Sequence, residues 1–151
     1  MTDAVSLIQQ DHRVLEKLLH QLRDPDVDRV AVVEEVAARL AAHRHATEQV
    51  YPVLAGREAP AARIPDLGTA QERLAALRSS DPESDRFDEA LREFGDAVAH
   101  HIQTEETEVL PAFAIDDDPE MLERAGATFD SGRLGELRVY GINDDAGTSG
   151  Q

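Results

Sequence analysis

Apolar residues recur every three or four positions along almost the whole chain, which is the spacing of amphipathic α-helices. Runs in which apolar and polar residues alternate, as they do in half-buried strands, are missing from the sequence. An amphipathic helix must bury its apolar face against another element. The pattern therefore predicts an all-α protein in which helices pack against one another.

Prolines, glycines and capping residues divide this pattern into segments. We predict four main helices and a weaker fifth segment, over residues 3–22, 27–54, 66–78, 83–113 and 120–129. Asp-Pro-Asp at 24–26, the Gly- and Pro-rich stretch 56–65 and Ser-Ser-Asp-Pro at 79–82 separate the main helices. Short connections between long helices predict an antiparallel up-down-up-down four-helix bundle, followed by a short fifth helical segment.

The length of 151 residues suits one domain. We assign residues 1–130 to the bundle. From position 131 onward the chain holds five of its nine glycines and its helical periodicity fades. Residues 131–151 are therefore expected to form a flexible C-terminal tail, part of it disordered.

Composition narrows the chemistry. The chain has no Cys, which excludes disulfides, thiolate metal sites, iron–sulfur clusters and thiol nucleophiles. A formal net charge of -16 argues against nucleic acids and anionic membranes as partners. The sequence has no apolar run of roughly 20 residues and no signal-peptide pattern at its start, so we expect a soluble cytoplasmic protein. Any metal would have to be bound by His and carboxylate.

Polar residues fall on the apolar faces of three predicted helices. At roughly 100° per residue, His12, His43 and His101 each lie within the apolar stripe of their helix. Glu105 follows His101 by one turn, and Glu48 lies on the flank of the second helix. A single inward His is most often a hydrogen-bonded core residue. Three of them on three helices, with a Glu at i+4, favour a site for Fe, Mn or Zn.

The second and fourth predicted helices also end alike. Within 43–54 and within 101–113 the order is His, then Glu, then an apolar pair, with Pro near the helix end. A proline there bends or ends a helix, which is common by itself. Its recurrence in two helices that each carry an inward His favours a shared functional role.

The features of interest are, in chain order, Asp11-His12-Arg13-Val14-Leu15, the His … Glu … Tyr-Pro ending of the second helix and the His-x-x-x-Glu-Glu … Pro ending of the fourth. In this order they resemble the hemerythrin HHE cation-binding family, over about residues 5–113. The resemblance implies a four-helix bundle with two irons, bridged by carboxylates and an oxo or hydroxo group. His12, His43, His101 and Glu105 match ligand positions of that family.

Two positions depart from the family pattern. The residue four after His43 is Thr47 instead of Glu, and the carboxylate of Glu48 stands one position further on. On the third helix the expected His is replaced by Gln71, whose neutral amide is a weak ligand. His45 is the one substitute that a shift of register could supply. Such a set is easier to build around one iron than around two.

Two functions follow as hypotheses. The first is a hemerythrin-like protein with mono- or dinuclear non-heme iron that binds or senses O2, nitric oxide or peroxide, or stores iron. The alternative is a degenerate, metal-free helical module for interaction or regulation, motivated by Thr47, Gln71 and the acidic surface. An enzyme is the less favoured interpretation, because no inward Ser stands beside an inward His as a nucleophile–base pair would require.

Overall fold

The computed structural model describes residues 3–54, 67–116 and 118–143, and within these ranges its only regular structure is helical. The elements are, in chain order, α1 (Ala4–Gln21), α2 (Arg29–Leu54), α3 (Gly68–Arg78), α4 (Asp85–Thr104), a π-helical turn (Glu105–Val109), α5 (Leu110–Asp116) and α6 (Pro119–Val139). The prediction of an all-α protein is confirmed for the described residues. The break expected at 56–65 lies outside them.

Short polar side chains mark where three of the helices begin. The side chains of Asp3, Ser84 and Asp118 each accept a hydrogen bond from the backbone N–H three residues further on, at 2.8, 3.2 and 2.8 Å. These bonds satisfy one of the free N–H groups that every helix start leaves open. Pro119 follows Asp118 at the first helical position, where its missing N–H costs nothing.

Two large apolar clusters fill most of the described interior, with a small third one of Ala38, Ala42 and Leu137 between α2 and α6, and a polar layer lies between the two large clusters. One cluster contains residues such as Leu15, Leu40 and Val98, and the other contains residues such as Ile8, Ala46 and Val109. His12 on α1, His43 on α2 and Glu105 after α4 each fall between members of the first cluster and members of the second, and His101 lies one turn before Glu105 at the edge of the first cluster. The fold thus holds these polar groups in the middle of its core.

The last helix extends further than expected. Residues 131–139, predicted as part of a tail, continue α6 to Val139. Phe129, Arg133 and Leu137 follow one another at intervals of four and are all buried. Arg133 in the middle of this face hides the apolar periodicity, and the glycines nearby lower helix propensity, so the sequence pattern fades where the helix does not. The sequence predicts disorder for residues 143–151, and all but residue 143 of this stretch lies outside the described part.

α6 packs chiefly along α2 and α1, while α3 packs against α4. The fifth segment is therefore a full-length helix that covers the side of α1 and α2, instead of a short appendage. In the described part of the chain, no helix combines the length and the apolar character needed to cross a lipid bilayer.

The packing of α6 makes a testable prediction. Phe129 is 0% exposed and belongs to the cluster formed with Ile8, Val50 and Phe113. Phe129→Ala is expected to lower the free energy of unfolding by about 3–5 kcal/mol, because it removes a large buried ring and leaves a cavity. Urea unfolding followed by circular dichroism measures the change.

The matched control is Tyr140→Ala, just beyond α6, because this aromatic residue is exposed. That variant should stay within about 0.5 kcal/mol of the parent protein. A loss below about 1 kcal/mol for Phe129→Ala would contradict the description of α6 as part of the core.

Candidate metal centre

Three buried imidazoles converge on one carboxylate oxygen. The Nε2 atoms of His12 on α1, His43 on α2 and His101 on α4 lie 2.7, 3.0 and 3.1 Å from Oε1 of Glu105. All four side chains are buried. The apolar faces of three helices thus bring together the inward His and Glu residues that the helical spacing predicts.

His101 differs from the other two histidines in its hydrogen bonding. The rings of His12 and His43 are aligned for hydrogen bonds with Oε1 of Glu105. The Nε2 of His101 is close to the same oxygen but out of line with it, and neither of its ring nitrogens has a hydrogen-bond partner within the described residues. A buried polar group without an aligned partner is rare, which makes His101 a candidate for binding a further group.

The second oxygen of Glu105 also has a partner. The buried phenol of Tyr51, near the end of α2, donates a hydrogen bond to Oε2. The Tyr51 ring packs against Phe113 with the ring centroids 5.3 Å apart. Four residues from α1, α2 and α4 therefore surround this single carboxylate.

Carboxylates lie behind two of the three histidines, that is, they contact Nδ1 on the side of the ring away from Glu105. Nδ1 of His12 lies 2.6 Å from Oε2 of Glu106, and Nδ1 of His43 lies 3.0 Å from Oδ2 of Asp11. Histidines that bind metals usually donate their second ring N–H to such a carboxylate, which fixes the ring and leaves Nε2 free to bind the ion.

The π-helical turn explains how two consecutive glutamates reach the same centre. Neighbouring residues of a regular α-helix point roughly 100° apart. Here the backbone N–H of Leu110 donates to the carbonyl of Glu105, five residues earlier. Pro111 has no N–H for the next α-helical bond, so the ladder is interrupted at this point. At the start of this turn Glu105 meets the three imidazoles and Glu106 meets His12.

The charges within the centre stabilise one another. Burial lowers the pKa of His43, but the Glu105 charge and the contacts with Asp11 outweigh it and raise that pKa to about 10. Burial raises the pKa of Glu105, yet the charge of His43 and the close approach of all three imidazoles hold it well below its usual range. Without a metal, the centre pairs a carboxylate anion with a protonated His43.

The pKa values of Tyr51 and Glu106, which also contact the centre, are shifted as well. Burial and then the Glu105 charge raise the pKa of Tyr51, which keeps the phenol neutral as a donor. Burial raises the pKa of Glu106, but its hydrogen bonds with His12 and Arg13 outweigh this effect and lower the pKa.

Other residues expected at the site lie elsewhere. Glu48, predicted as a ligand, has a side chain 61% exposed and accepts a hydrogen bond from Arg44 at 2.9 Å. Thr47 is buried but donates its hydroxyl hydrogen bond to the Arg44 carbonyl of its own helix. Gln71 lies on the exposed side of α3, and His45 is partly exposed, with its Nδ1 3.6 Å from Glu136.

Some residues of the centre were not foreseen. Asp11 and Glu106 are sequence neighbours of His12 and Glu105 and belong to the motifs that resemble the family, but the sequence assigned them no role. Tyr51 lies on the buried face of α2, eight residues after His43, where an aromatic residue is normally interpreted as part of the core.

The spacing of the ligand atoms suits one ion. Atoms bound about 2.0–2.1 Å from the same metal lie roughly 3 Å from one another. Ligand atoms of His12, His43 and Glu105 all lie within 4.8 Å of one another, and Nε2 of His101 is 3.1 Å from Glu105. Fold and site together define an all-α protein with a buried histidine–carboxylate centre capable of holding a cation.

The comparisons with known proteins identify the family. The family model for the hemerythrin HHE cation binding domain matches residues 3–113, most of the chain. The chain therefore belongs to the hemerythrin HHE cation-binding family. No protein with a curated description matches it.

A solved structure supports the fold. The crystal structure of a hemerythrin HHE cation binding domain-containing protein from Mycobacterium kansasii superposes with a TM-score of 0.80. The two sequences are 18% identical, and the match covers 92% of this chain and 90% of the other. The similarity therefore includes the region of α6, beyond the 3–113 range of the family model.

The charge pattern predicts how the stability of the metal-free protein depends on pH. The folded pKa of Glu105 is lowered, so its contribution is present above its usual value of 4.5 and is lost as the pH falls through the folded pKa. The folded pKa of His43 is raised from 6.5 to about 10, so its contribution is complete below pH 6.5 and declines as the pH rises to about 10.

Urea unfolding in the presence of a chelator, measured between pH 4.5 and 10, tests this dependence. The free energy of unfolding should fall steadily above pH 6.5 in the parent protein, and this slope should flatten in His43→Ala. The exposed His20 gives the control, and His20→Ala should keep the slope. A parent protein equally stable at pH 6.5 and pH 10 would rule out a buried, protonated His43.

Proposed function

We propose that this protein binds a non-heme iron ion through His12, His43, His101 and Glu105, and that a small diatomic molecule or peroxide reaches the bound metal. The proposal rests on one observation, the convergence of three buried imidazole nitrogens on a single carboxylate oxygen. Oxygen or nitric oxide binding, peroxide sensing and iron storage all belong to this hypothesis.

The residues fit a cation better than they fit a metal-free core. The ring nitrogens of His101 have no aligned hydrogen-bond partner among the described residues, which is costly in a buried position, and a cation beside Nε2 would use the lone pair of that nitrogen. The carboxylates behind His12 and His43 hold their rings with Nε2 facing the centre.

The types of ligand atom limit which metals the centre could bind. Imidazole nitrogen and carboxylate oxygen, without any thiolate, suit iron, manganese or zinc. We propose iron because the family expectation points to it. When bound, iron would supply redox chemistry and coordination positions for a small ligand, while Tyr51 and the surrounding side chains keep the carboxylate oriented.

The number of ions depends on which of the expected ligands lie away from the centre. A second iron needs additional ligands, and the two residues at the corresponding family positions, Glu48 and Gln71, are exposed. The nearby carboxylates of Asp11 and Glu106 contact the Nδ1 atoms of His43 and His12 instead. We therefore propose one ion in this centre instead of the two that the family resemblance implies.

We place this centre in an antiparallel up-down-up-down bundle formed by α1, α2, α3 and α4. The contacts of α1 with α2, α2 with α3, α3 with α4 and α1 with α4 support this arrangement. In it, three of the four helices each contribute one inward His.

Metal content is the direct test. The parent protein, loaded with ferrous iron under anaerobic conditions and then desalted, is expected to retain about one equivalent by elemental analysis. At a free metal concentration of 100 times the dissociation constant, bound iron should raise the free energy of unfolding by about 2.7 kcal/mol. His43→Ala and His101→Ala should lose both effects.

His20→Ala and His100→Ala are matched controls, because both histidines are exposed. Both should bind iron like the parent protein. If the folded parent retains no metal at saturating iron, the proposal fails and the metal-free interaction module becomes the better account. Two equivalents would contradict a single-ion centre.

Ligand access gives a separate prediction. Titration of the ferrous protein with nitric oxide should produce new visible absorption bands that saturate at about one equivalent. Protein reconstituted with zinc controls for changes unrelated to iron and should show none of these bands. An unchanged spectrum of the ferrous protein would refute binding of diatomic molecules while leaving metal binding intact.

A further inference from the structure

The two carboxylates behind the histidines differ in what supports them. Glu106, behind His12, faces Arg13, whose side chain is 57% exposed. Asp11, behind His43, faces Arg133, whose side chain is only 9% exposed. The first arginine belongs to α1, whereas the second comes from α6.

Arg133 occupies an unusual place for an arginine. It lies on the buried face of α6 between Phe129 and Leu137. A buried guanidinium is costly unless charged groups compensate it. Here its Nη2 donates to Asp130 at 2.8 Å, and its Nε lies 3.6 Å from Oδ1 of Asp11.

Asp11 connects this arginine to the metal centre. One of its oxygens faces Arg133, and the other lies 3.0 Å from Nδ1 of His43. The ring of Phe129 also packs edge-on against the His43 ring, with the centroids 6.2 Å apart. α6 thus reaches His43 through a polar chain and through an aromatic contact.

We propose that Arg133 and Asp11 are positioning residues for His43, through which α6 sets the affinity of the centre for its metal. This inference rests on the proposed function. The guanidinium holds the carboxylate, and the carboxylate holds the imidazole with Nε2 directed at the cation and increases the basicity of that nitrogen. His12 has a comparable carboxylate, but the arginine behind it is screened by solvent.

The competing explanation is that Arg133 only anchors α6 to α1. Both explanations predict that removal of Arg133 lowers protein stability. They differ in the metal affinity of the protein that remains folded, which an anchor would leave unchanged.

Competition between the full-length protein and a chromophoric chelator for cobalt(II) measures that affinity. Asp11→Asn and Arg133→Ala are expected to weaken cobalt binding by about 10–100-fold, the range found when such supporting partners are removed. Arg133→Lys keeps the positive charge and should restore part of the affinity. Arg138→Ala, an exposed position on the same helix, should bind cobalt like the parent protein.

The double variant shows whether Arg133 acts through Asp11. If it does, Asp11→Asn/Arg133→Ala should bind cobalt about as weakly as Asp11→Asn alone, so the two losses would not add. The visible bands of bound cobalt should shift in the same variants, because the orientation of the His43 ring changes. If the losses of cobalt affinity in the two single variants add in the double variant, Arg133 does not act through Asp11 and the inference is wrong.

Thermal unfolding of the metal-free variants completes the design. Variants that are less stable but bind cobalt with unchanged affinity and unchanged spectrum would overturn the inference and leave Arg133 as an anchor. If Arg133→Ala does not fold, Arg133→Lys and Asp11→Asn decide the question. A parent protein that binds neither cobalt nor iron would instead refute the proposed function, which separates the two failures.

Discussion

The burial of the Glu105 carboxylate is the constraint on which the rest of the interior depends. Removing a charged carboxylate from water costs several kcal/mol unless partners compensate it, at roughly the scale of the total stability of a domain. Here the compensation comes from three imidazoles and a phenol on three different helices. The α1, α2 and α4 helices are therefore tied together by one oxygen-centred cluster as well as by apolar contacts.

The two apolar clusters and the polar layer between them depend on each other. The clusters on either side exclude water, which strengthens every electrostatic interaction at Glu105. The same exclusion makes an incomplete polar layer expensive. This is why His101 is informative: its ring nitrogens have no aligned hydrogen-bond partner among the described residues, at a place where a cation could be bound.

Helical spacing in the sequence was sufficient to predict α1 to α4 and the inward direction of His12, His43, His101 and Glu105. It failed to place two glutamates, Glu106 and Glu48, for different reasons. A π-helical turn changes which residues share a face, so Glu106 could not be placed by a regular wheel. Glu48 stands at i+5 from His43 in a helix that stays regular around it, so it faces solvent.

The extension of α6 escaped prediction for a reason that bears on its role. The extent of a helix is predicted from the spacing of its apolar residues, so an arginine at the centre of a buried face is taken as the end of that face. Local rules are most often broken where a residue serves something other than local stability. Arg133 breaks the rule on a helix that covers α1 and α2, and its charge faces the carboxylate behind His43. The position that hides α6 from sequence analysis is thus the one that links it to the centre.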